Sequence, residues 1–326
     1  MAPDGAELFV DGRVVRLSGL AADHDFEVDG VAFRTMPDLG EVRCVVATVN
    51  DVHLGETVCG RIDGDDRFPG MRAEPGEAPY PERMSSGAIA DIEACDPACV
   101  VVKGDLTDDG RDEEYERFLE MWGGAFGERL LHVRGNHDCY RGQDFAAWPC
   151  QSRVLDGVTV ALLDTARPHE IGGSLDAEQL GWLDDLGSAS TQPVLVMGHH
   201  QAFRQGQNPA PGLGGLNAED TAGLLEVLER RRMLACYLAG HTHRNRHVVL
   251  RGQDCAEVAC VKDFPGAWAE YRVCERGIAA IVHRAQAPDA VEWAERTRGM
   301  FEGFYGRYTM GSLSDRCFVV DGWVSD

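Results

Sequence analysis

The chain has 326 residues, 44% of them hydrophobic, which is enough to bury the core of one large α/β domain. Its net charge of −23 at pH 7 disfavours nucleic acid as a partner, because that binding depends on Lys and Arg side chains that neutralise phosphates. No run approaches the ~18 consecutive apolar residues of a membrane helix, and no basic segment followed by an apolar core begins at Met1. The eleven cysteines lack paired C-x-x-C spacing, which is typical of buried, reduced thiols. We therefore expect a cytoplasmic protein, not a membrane protein, that acts on a small diffusible ligand.

Two short hairpins are predicted within residues 1–42. Asp11-Gly12 and Asp29-Gly30 each stand between two strand-like halves, and Asp-Gly is a strong signal for a two-residue hairpin turn. Two hairpins are too little for an independent β-sandwich. We predict that residues 1–42 form a β-rich extension packed on a main domain of residues 43–326.

From residue 43 onward, strand-like and helix-like segments alternate, as in α/β proteins. The predicted strands cover residues 44–49, 100–102, 130–133, 158–163, 194–197, 234–238 and about 246–250, 256–261, 269–274 and 278–283. Helices are predicted up to Cys95, over 112–122, after an Asp176/Gln179 capping box with Gly187 past the helix end, over about 218–232 with Asn217 as N-cap, and from Pro288. The Gly- and Pro-rich segments 54–87 and 206–216 are predicted loops that either cover a binding site or lie on the surface.

Five predicted strands end in short clusters of Asp, Asn and His, often after a glycine. Because ligands bind at the carboxyl ends of strands in open α/β sheets, these clusters can converge on one site. Carboxylate and imidazole groups suit Mn, Fe and Zn, and a bridging carboxylate can hold two such ions roughly 3.5–4 Å apart. The candidate metal ligands are Asp51, His53, Asp105, Asn136, His199, His241 and His243.

The order of these clusters resembles the calcineurin-like metallophosphoesterases, whose pattern of D-x-H, GD, GNH[D/E], H and GHxH is present from Asp51 to His243. The resemblance covers about residues 43–250. It implies a four-layer α/β/β/α sandwich of two mixed sheets flanked by helices. It also implies two metal ions, whose identity among Mn, Fe and Zn stays open. One ion would take Asp51, His53 and His243, the other Asn136, His199 and His241, and Asp105 would bridge them.

The same resemblance implies a mechanism in which a metal-bridging hydroxide attacks the phosphorus of a phosphate ester. His137 would lie just outside the metal ligands and protonate the leaving oxygen or stabilise the phosphoryl group, and Asp138 would orient it. Asn136, His137 and His200 are candidate substrate contacts, with a packing role for His200 equally open.

The branch of the family is indicated by residues around the second cluster. Gly104-Asp-Leu-Thr-Asp-Asp-Gly110, together with Gly172-Gly-Ser-Leu-Asp-Ala-Glu-Gln-Leu-Gly-Trp-Leu183, is similar to class III cyclic-nucleotide phosphodiesterases and their glycerophosphodiesterase relatives. Asp109 stands where protein Ser/Thr phosphatases have arginine, and Asp108 where purple acid phosphatases have a ligand tyrosine.

The predicted function is a phosphodiesterase that hydrolyses a small substrate such as a 3′,5′-cyclic nucleotide. The alternative is a phosphomonoesterase acting on a nucleotide or another small phosphate. A metal-free binding scaffold on the same fold is disfavoured, because every ligand position is retained. The C-terminal helix is either a homodimer interface or packs on its own subunit.

Overall fold

The computed structural model describes residues 1–10, 13–61, 67–203 and 214–323. Its strands are β1 (Gly5–Val10), β2 (Arg13–Ser18), β3 (Asp25–Val28), β4 (Val31–Arg34), β5 (Val42–Val49), β6 (Cys99–Lys103), β7 (Leu130–Val133), β8 (Cys150–Leu155), β9 (Val158–Leu163), β10 (Val194–Met197), β11 (Leu234–Ala239), β12 (Arg246–Leu250), β13 (Gln253–Glu257), β14 (Ala267–Cys274), β15 (Gly277–Arg284) and β16 (Cys317–Val320). The helices are α1 (Tyr80–Glu93), α2 (Asp112–Phe118), α3 (Gly124–Phe126), α4 (Ala177–Ala189), α5 (Ala218–Arg230), α6 (Pro288–Thr297), α7 (Phe304–Met310) and α8 (Leu313–Arg316), with short helical turns at Leu119–Gly123, Gly127–Arg129 and His137–Cys139.

Two mixed sheets form the centre of the molecule. In the described residues, sheet I has the order β16-β15-β14-β5-β6-β7 and sheet II the order β12-β13-β11-β10-β9-β8. Strands β5, β6 and β7 are parallel in sheet I, and β9, β10, β11 and β13 are parallel in sheet II. Antiparallel strands flank both parallel sets. The carboxyl ends of the parallel strands carry the predicted ligand clusters.

The two sheets pack face to face over an apolar core. Val46 and Val101 of sheet I meet Val160 and Leu195 of sheet II in this core. Successive side chains of a strand point to opposite faces, so the residues next to Val46 and Val101 face the other way, toward helices. These strands are therefore almost uninterrupted apolar runs, as expected when both faces of a sheet are covered.

Helices cover the two outer faces. Helices α1 and α6 pack on sheet I with Met84, Ile92 and Trp293, while α4 and α5 pack on sheet II with Leu183 and Leu224. The result is the predicted four-layer α/β/β/α sandwich. No helix in the described ranges is long and apolar enough to cross a membrane.

Several element boundaries differ from prediction. Helix α1 begins at Tyr80, inside the predicted 54–87 loop. Pro81 lies in its first turn, where backbone N–H groups have no partner within the helix, so the N–H that proline lacks is not needed. Gly187 lies within α4 and not past its end. A Cβ at this position would lie 2.8 Å from Arg231 Cβ, so the close packing of α4 favours glycine here. The predicted 256–261 strand is wrong: β13 ends at Glu257, and residues 258–261 are a buried apolar loop.

Strands β8 and β16 are not among the predicted elements. Strand β8 pairs with β9 across Asp156-Gly157, the same turn signal that marks the N-terminal hairpins. Beyond α6 the chain continues through α7 and α8 into β16, which pairs with β15. Most of the predicted loop 206–216 lies outside the described residues.

The N-terminal extension folds as two hairpins. Strand β1 pairs with β2 and β3 with β4, as the Asp-Gly signals predict. Ala2, Met36 and Leu39 pack against Ala279 and Ile281 of β15. The division of the chain at residue 42 remains a prediction, which these apolar contacts support.

A buried charge cluster also ties the first hairpin to sheet I. His283 Nδ1 lies 3.1 Å from Glu7 Oε2, and its Nε2 lies 2.8 Å from Glu270 Oε2. Both ring nitrogens can donate only when the imidazole is protonated. Burial opposes that charge, but the hydrogen bonds to Glu270 and Glu7 outweigh it and raise the pKa of His283 above its ordinary value of 6.5.

We predict that His283→Leu destabilises the protein by about 3 kcal/mol, because two buried carboxylates lose their shared cationic partner. The raised pKa of His283 also gives a signed pH dependence. The stabilisation that protonated His283 provides is fully present below pH 6.5. It is lost as the pH rises through the pKa of His283 in the folded protein. The free energy of unfolding, measured with urea in EDTA, should decrease less between pH 6 and pH 8 for the variant than for wild type. Equal decreases would contradict the assignment, and exposed His24→Leu is the matched control.

Candidate metal centre

The loops that follow the parallel strands have unusual backbone conformations. Asp51, His53, Asp105, His241 and His243 have φ values of 54°, 48°, 50°, 70° and 55°. This left-handed region is uncommon for residues other than glycine, and such strain concentrates at functional sites where the surroundings enforce it. These five predicted ligands therefore occupy positions where the fold overrides local backbone preference.

Two glycines let the loops approach each other closely. Gly104 has a φ of 89°, and a Cβ there would lie 2.5 Å from His199 Nδ1. A Cβ on Gly135 would overlap the carboxylate and backbone of Asp105. The glycines before Asp105 and Asn136 are thus required by close packing of three loops.

One group of predicted ligands joins three residues that follow strands of sheet I to His243, which follows β11 of sheet II. Ligand atoms of Asp51, His53, Asp105 and His243 all lie within 4.8 Å of one another. Asp105 Oδ2 is 3.4 Å from His53 Nε2, and Asp51 Oδ1 is 3.4 Å from His243 Nε2. All four side chains are largely or fully buried.

The second group meets the first at Asp105. His199 Nε2 is 3.3 Å from Asp105 Oδ2 and 3.1 Å from Asn136 Oδ1. Its other nitrogen, Nδ1, lies 2.8 Å from the Lys103 carbonyl and must donate to it. His241 belongs to the same group as His199, with ligand atoms within 4.8 Å. The structure thus brings the predicted ligands together around Asp105.

Unpaired buried atoms make this cluster fit a cation. In the part of the chain that the structure describes, hydrogen-bond partners are missing for Asp51 Oδ1, both ring nitrogens of His53 and His241 Nε2. Buried polar atoms without partners are rare and costly. A neutral imidazole has one ring nitrogen with a free electron pair, so metal ions could be bound by the Asp51 carboxylate, one nitrogen of His53 and His241 Nε2, which lie in the two clusters of candidate ligands.

The electrostatics favour the metal-binding protonation states of Asp105, His53 and His241, whereas His199 would have to release a proton when a cation binds. Burial opposes ionisation of Asp105, but the charges of His199 and His137 hold its pKa well below the usual range. Burial lowers the pKa of His53 to about 4 and that of His241 to about 3. Against burial, Asp105 raises the pKa of His199 to about 9. Ionised carboxylates beside neutral imidazoles are the states that cation binding requires.

The expected contact between Asp138 and His137 is wrong. The Asp138 carboxylate is buried and accepts hydrogen bonds from the N–H groups of Leu106, Thr107 and Gly135 at 3.1, 2.9 and 2.8 Å, and from the Thr107 hydroxyl at 2.6 Å. Those donors lie in the loops after β6 and β7, which makes Asp138 a clamp between the loops that carry Asp105 and Asn136.

The His137 ring is instead oriented by a backbone group. Its Nδ1 lies 2.6 Å from the Asp108 carbonyl. The ring also packs against His53 and Tyr140, with centroids 4.3 and 4.7 Å away. Since Nδ1 must donate to the carbonyl, Nε2 is the ring atom left for substrate chemistry.

The geometry does not support a substrate contact for His200. Its Nδ1 lies 2.8 Å from the Thr165 hydroxyl, and its Nε2 lies 3.1 Å from the Ile171 carbonyl. The side chain is fully buried, although its ligand atom lies near those of His199 and His241. With both nitrogens engaged, His200 anchors the 165–173 segment.

Two further residues, Asn50 and Tyr140, form hydrogen bonds with candidate ligands but have weak sequence signals or none. Asn50 lies directly before Asp51 and its amide donates to the Asp51 carboxylate and, at 3.0 Å, to the Val258 carbonyl. Tyr140 accepts a hydrogen bond from the Asn136 amide nitrogen at 2.5 Å, which turns Asn136 Oδ1 toward His199. Asn50 is adjacent to a motif and could have been suspected, whereas Tyr140 belongs to no recognised pattern.

The family model described as calcineurin-like phosphoesterase matches residues 45–245. The chain belongs to the calcineurin-like phosphoesterase family. The resemblance inferred from the motifs is therefore confirmed, and the family implies a binuclear divalent metal centre in which the clustered residues are candidate ligands. The matched region ends just after His243.

Two similar proteins are named as cyclic-nucleotide phosphodiesterases. A probable cyclic nucleotide phosphodiesterase of Synechococcus sp. is 29% identical over 207 residues, covering 61% of this chain and 73% of that protein. A cAMP/cGMP dual specificity phosphodiesterase of Mycobacterium tuberculosis is 26% identical over 223 residues, covering 64% of each chain. The similarity thus spans less than two thirds of the mycobacterial protein.

Two further comparisons extend this picture. A glycerophosphodiester phosphodiesterase of Enterobacter lignolyticus is 30% identical over 160 residues, covering 45% of this chain and 56% of that protein. The solved structure of purple acid phosphatase PPD1 from yellow lupin aligns with a TM-score of 0.51 at 11% identity, covering 78% of this chain and 54% of that one. The lupin structure supports the fold assignment alone.

We predict that Asp138→Ala lowers the free energy of unfolding in EDTA by about 3 kcal/mol or more. The variant leaves the buried N–H groups of Leu106, Thr107 and Gly135 without acceptors, at about 1–3 kcal/mol each. Urea unfolding of metal-free protein measures the change without any contribution from bound metal. Asp109→Ala, a partly exposed neighbour, should change stability little. Wild-type stability in Asp138→Ala would contradict the clamp assignment.

Proposed function

We propose that this phosphoesterase is a binuclear metal-dependent phosphodiesterase whose substrate is a small phosphodiester, with 3′,5′-cyclic nucleotides as the favoured class. The observation that carries the proposal is the convergence of buried, unpaired ligand atoms around Asp105. The names of the cyanobacterial, mycobacterial and enterobacterial relatives favour a diester over a monoester.

The proposed ligand sets follow the two groups of side chains. One ion would be held by Asp51, His53 and His243, the second by Asn136, His199 and His241, and both by Asp105. Imidazole, carboxylate and amide donors suit Mn, Fe or Zn. Bound there, the two metal ions would supply activation of water at neutral pH and would offset negative charge on the phosphate.

His137 is the group to which we assign proton transfer. Its Nδ1–H is committed to the Asp108 carbonyl at 2.6 Å, so a proton for the leaving oxygen has to come from Nε2. The neighbouring rings of His53 and Tyr140 restrict rotation of the imidazole. General acid catalysis of this kind matters most when the leaving group is a poor one.

The surroundings favour a small substrate. A net charge of −23 disfavours a long polyanion, whereas one phosphodiester group carries a single charge that bound metals would offset locally. We keep a cytoplasmic location as part of this proposal, since cyclic nucleotides and related small diesters are available there.

We predict that Asp105→Ala loses bound metal and nearly all activity. Removing the shared carboxylate removes several kcal/mol of charge stabilisation, or about 1,000-fold in turnover. Metal-stripped wild type and variant are reloaded with Mn²⁺, analysed for metal content, and assayed with bis(p-nitrophenyl) phosphate and p-nitrophenyl phosphate. Asp109→Asn is the control, since that carboxylate pairs with Arg141 at the surface.

Each assay outcome decides one element of the proposal. Faster diester cleavage supports the phosphodiesterase and leads to a panel of cyclic nucleotides. A preference for the monoester would replace it with a phosphomonoesterase that uses the same site. A fully metal-loaded, active Asp105→Ala would contradict the ligand assignment.

We predict that His137→Ala retains both metals but loses about 100-fold or more in turnover with a poor leaving group. The loss should be smaller with bis(p-nitrophenyl) phosphate, because p-nitrophenolate departs without a proton. Comparing that ester with a cyclic nucleotide separates the two cases, and His169→Ala, an exposed histidine nearby, serves as control. Equal losses with both substrates would argue against a general acid at His137.

A further inference from the structure

A buried polar cluster lies beside His243. At its centre is Asp263, whose Oδ1 accepts a hydrogen bond from the Tyr305 hydroxyl at 2.7 Å and from the Cys260 thiol at 2.8 Å. The Tyr305 hydroxyl also lies 3.4 Å from His243 Nδ1. Thus Nδ1 of His243 faces this cluster, while Nε2 faces Asp51 at 3.4 Å.

The hydroxyl of Tyr305 sets the direction of proton donation. A tyrosine has one O–H hydrogen, and the short contact places it on Asp263. Toward His243 the same oxygen can therefore only accept. The Nδ1 of His243 must carry a hydrogen, so in the neutral imidazole that can bind a metal the lone pair is on Nε2.

The charge of Asp263 is fixed by its other neighbours. Its Oδ2 lies 3.1 Å from Lys262 Nζ and accepts a hydrogen bond from the Cys59 thiol at 3.2 Å. Lys262 also pairs with Glu56 at 2.7 Å. The carboxylate is thus fully engaged and cannot take the Tyr305 proton without losing these partners.

The same arrangement argues against a third cation at this position. His243, Cys260 and Asp263 offer ligand atoms within 4.8 Å of one another. The Lys262 ammonium, however, already supplies the positive charge beside Asp263, and the hydrogen bonds use both carboxylate oxygens. The cluster is complete as a hydrogen-bonded network.

We propose that Tyr305 and Asp263 are positioning residues that hold His243 in the Nδ1–H form, with its Nε2 lone pair directed at the metal centre. This inference rests on the proposed metal centre. Partners that accept the second N–H of a ligating histidine fix its orientation and raise its basicity, and their loss typically weakens metal binding 10- to 100-fold. Both residues lie outside the family match of residues 45–245.

The test compares two tyrosines of helix α7. Tyr305→Phe removes the acceptor of the His243 N–H, whereas Tyr308→Phe removes a hydrogen bond to the Thr242 carbonyl in the same loop without touching the imidazole. Mn²⁺ binding to metal-stripped proteins is measured by titration calorimetry. Tyr305→Phe should weaken one of two sites about 10- to 100-fold, and Tyr308→Phe should leave both near wild type.

A measurement on wild type avoids dependence on the variant's folding. In Zn²⁺-loaded protein, long-range ¹H–¹⁵N spectra should show His243 protonated at Nδ1 and metal-bound at Nε2. Zinc on Nδ1, unchanged affinity in Tyr305→Phe, or equal weakening in Tyr308→Phe would each overturn the inference. Wild type that takes up no metal would overturn the proposed function as well, whereas two ions bound equally by wild type and Tyr305→Phe would overturn this inference alone.

Discussion

Two carboxylates buried a short distance apart, Asp51 and Asp105, constrain the whole site. An ionised oxygen cannot leave water without positive charge close by. In the protein alone that charge comes from His199 and His243, whose pKa values are raised by these carboxylates against the effect of burial. Bound cations would take over the same task. The strained loops and the tight glycines are what it takes to gather such groups in one place.

Lys103 connects the two sheets next to a candidate ligand. Lys103 ends β6 of sheet I, and its ammonium donates to the Ala239 carbonyl of sheet II at 2.7 Å. The carbonyl of the same lysine accepts the Nδ1–H of His199. One residue therefore links the two sheets and sets the tautomer of a candidate ligand. Side chains that follow strands of both sheets, His53 and His199, can then both contact Asp105.

The sequence predicts the alternation of strands and helices and the candidate ligands because both leave local signals, whereas the four layers are predicted from the family resemblance. Apolar strands followed by Asp, Asn and His predict which loops form the site, and Asp-Gly predicts the turns of the hairpins. It fails where tertiary contacts decide: Asp138 is adjacent to His137 along the chain yet bonds to other loops, and His200 is sequestered by Thr165. Tyr305 lies 62 residues from His243, and no motif in its segment points to the site.

Helix α7 contacts the loop of the candidate site although it lies outside the family match. The family match ends at residue 245, yet Tyr308 donates to the Thr242 carbonyl and Asn245 donates to the Thr309 carbonyl, which ties helix α7 to the loop bearing His241 and His243. The segment that the family model matches is therefore smaller than the part of the chain that holds the site. On the proposed role of Tyr305, a substitution outside that segment is a route to altered metal affinity without any change of ligand.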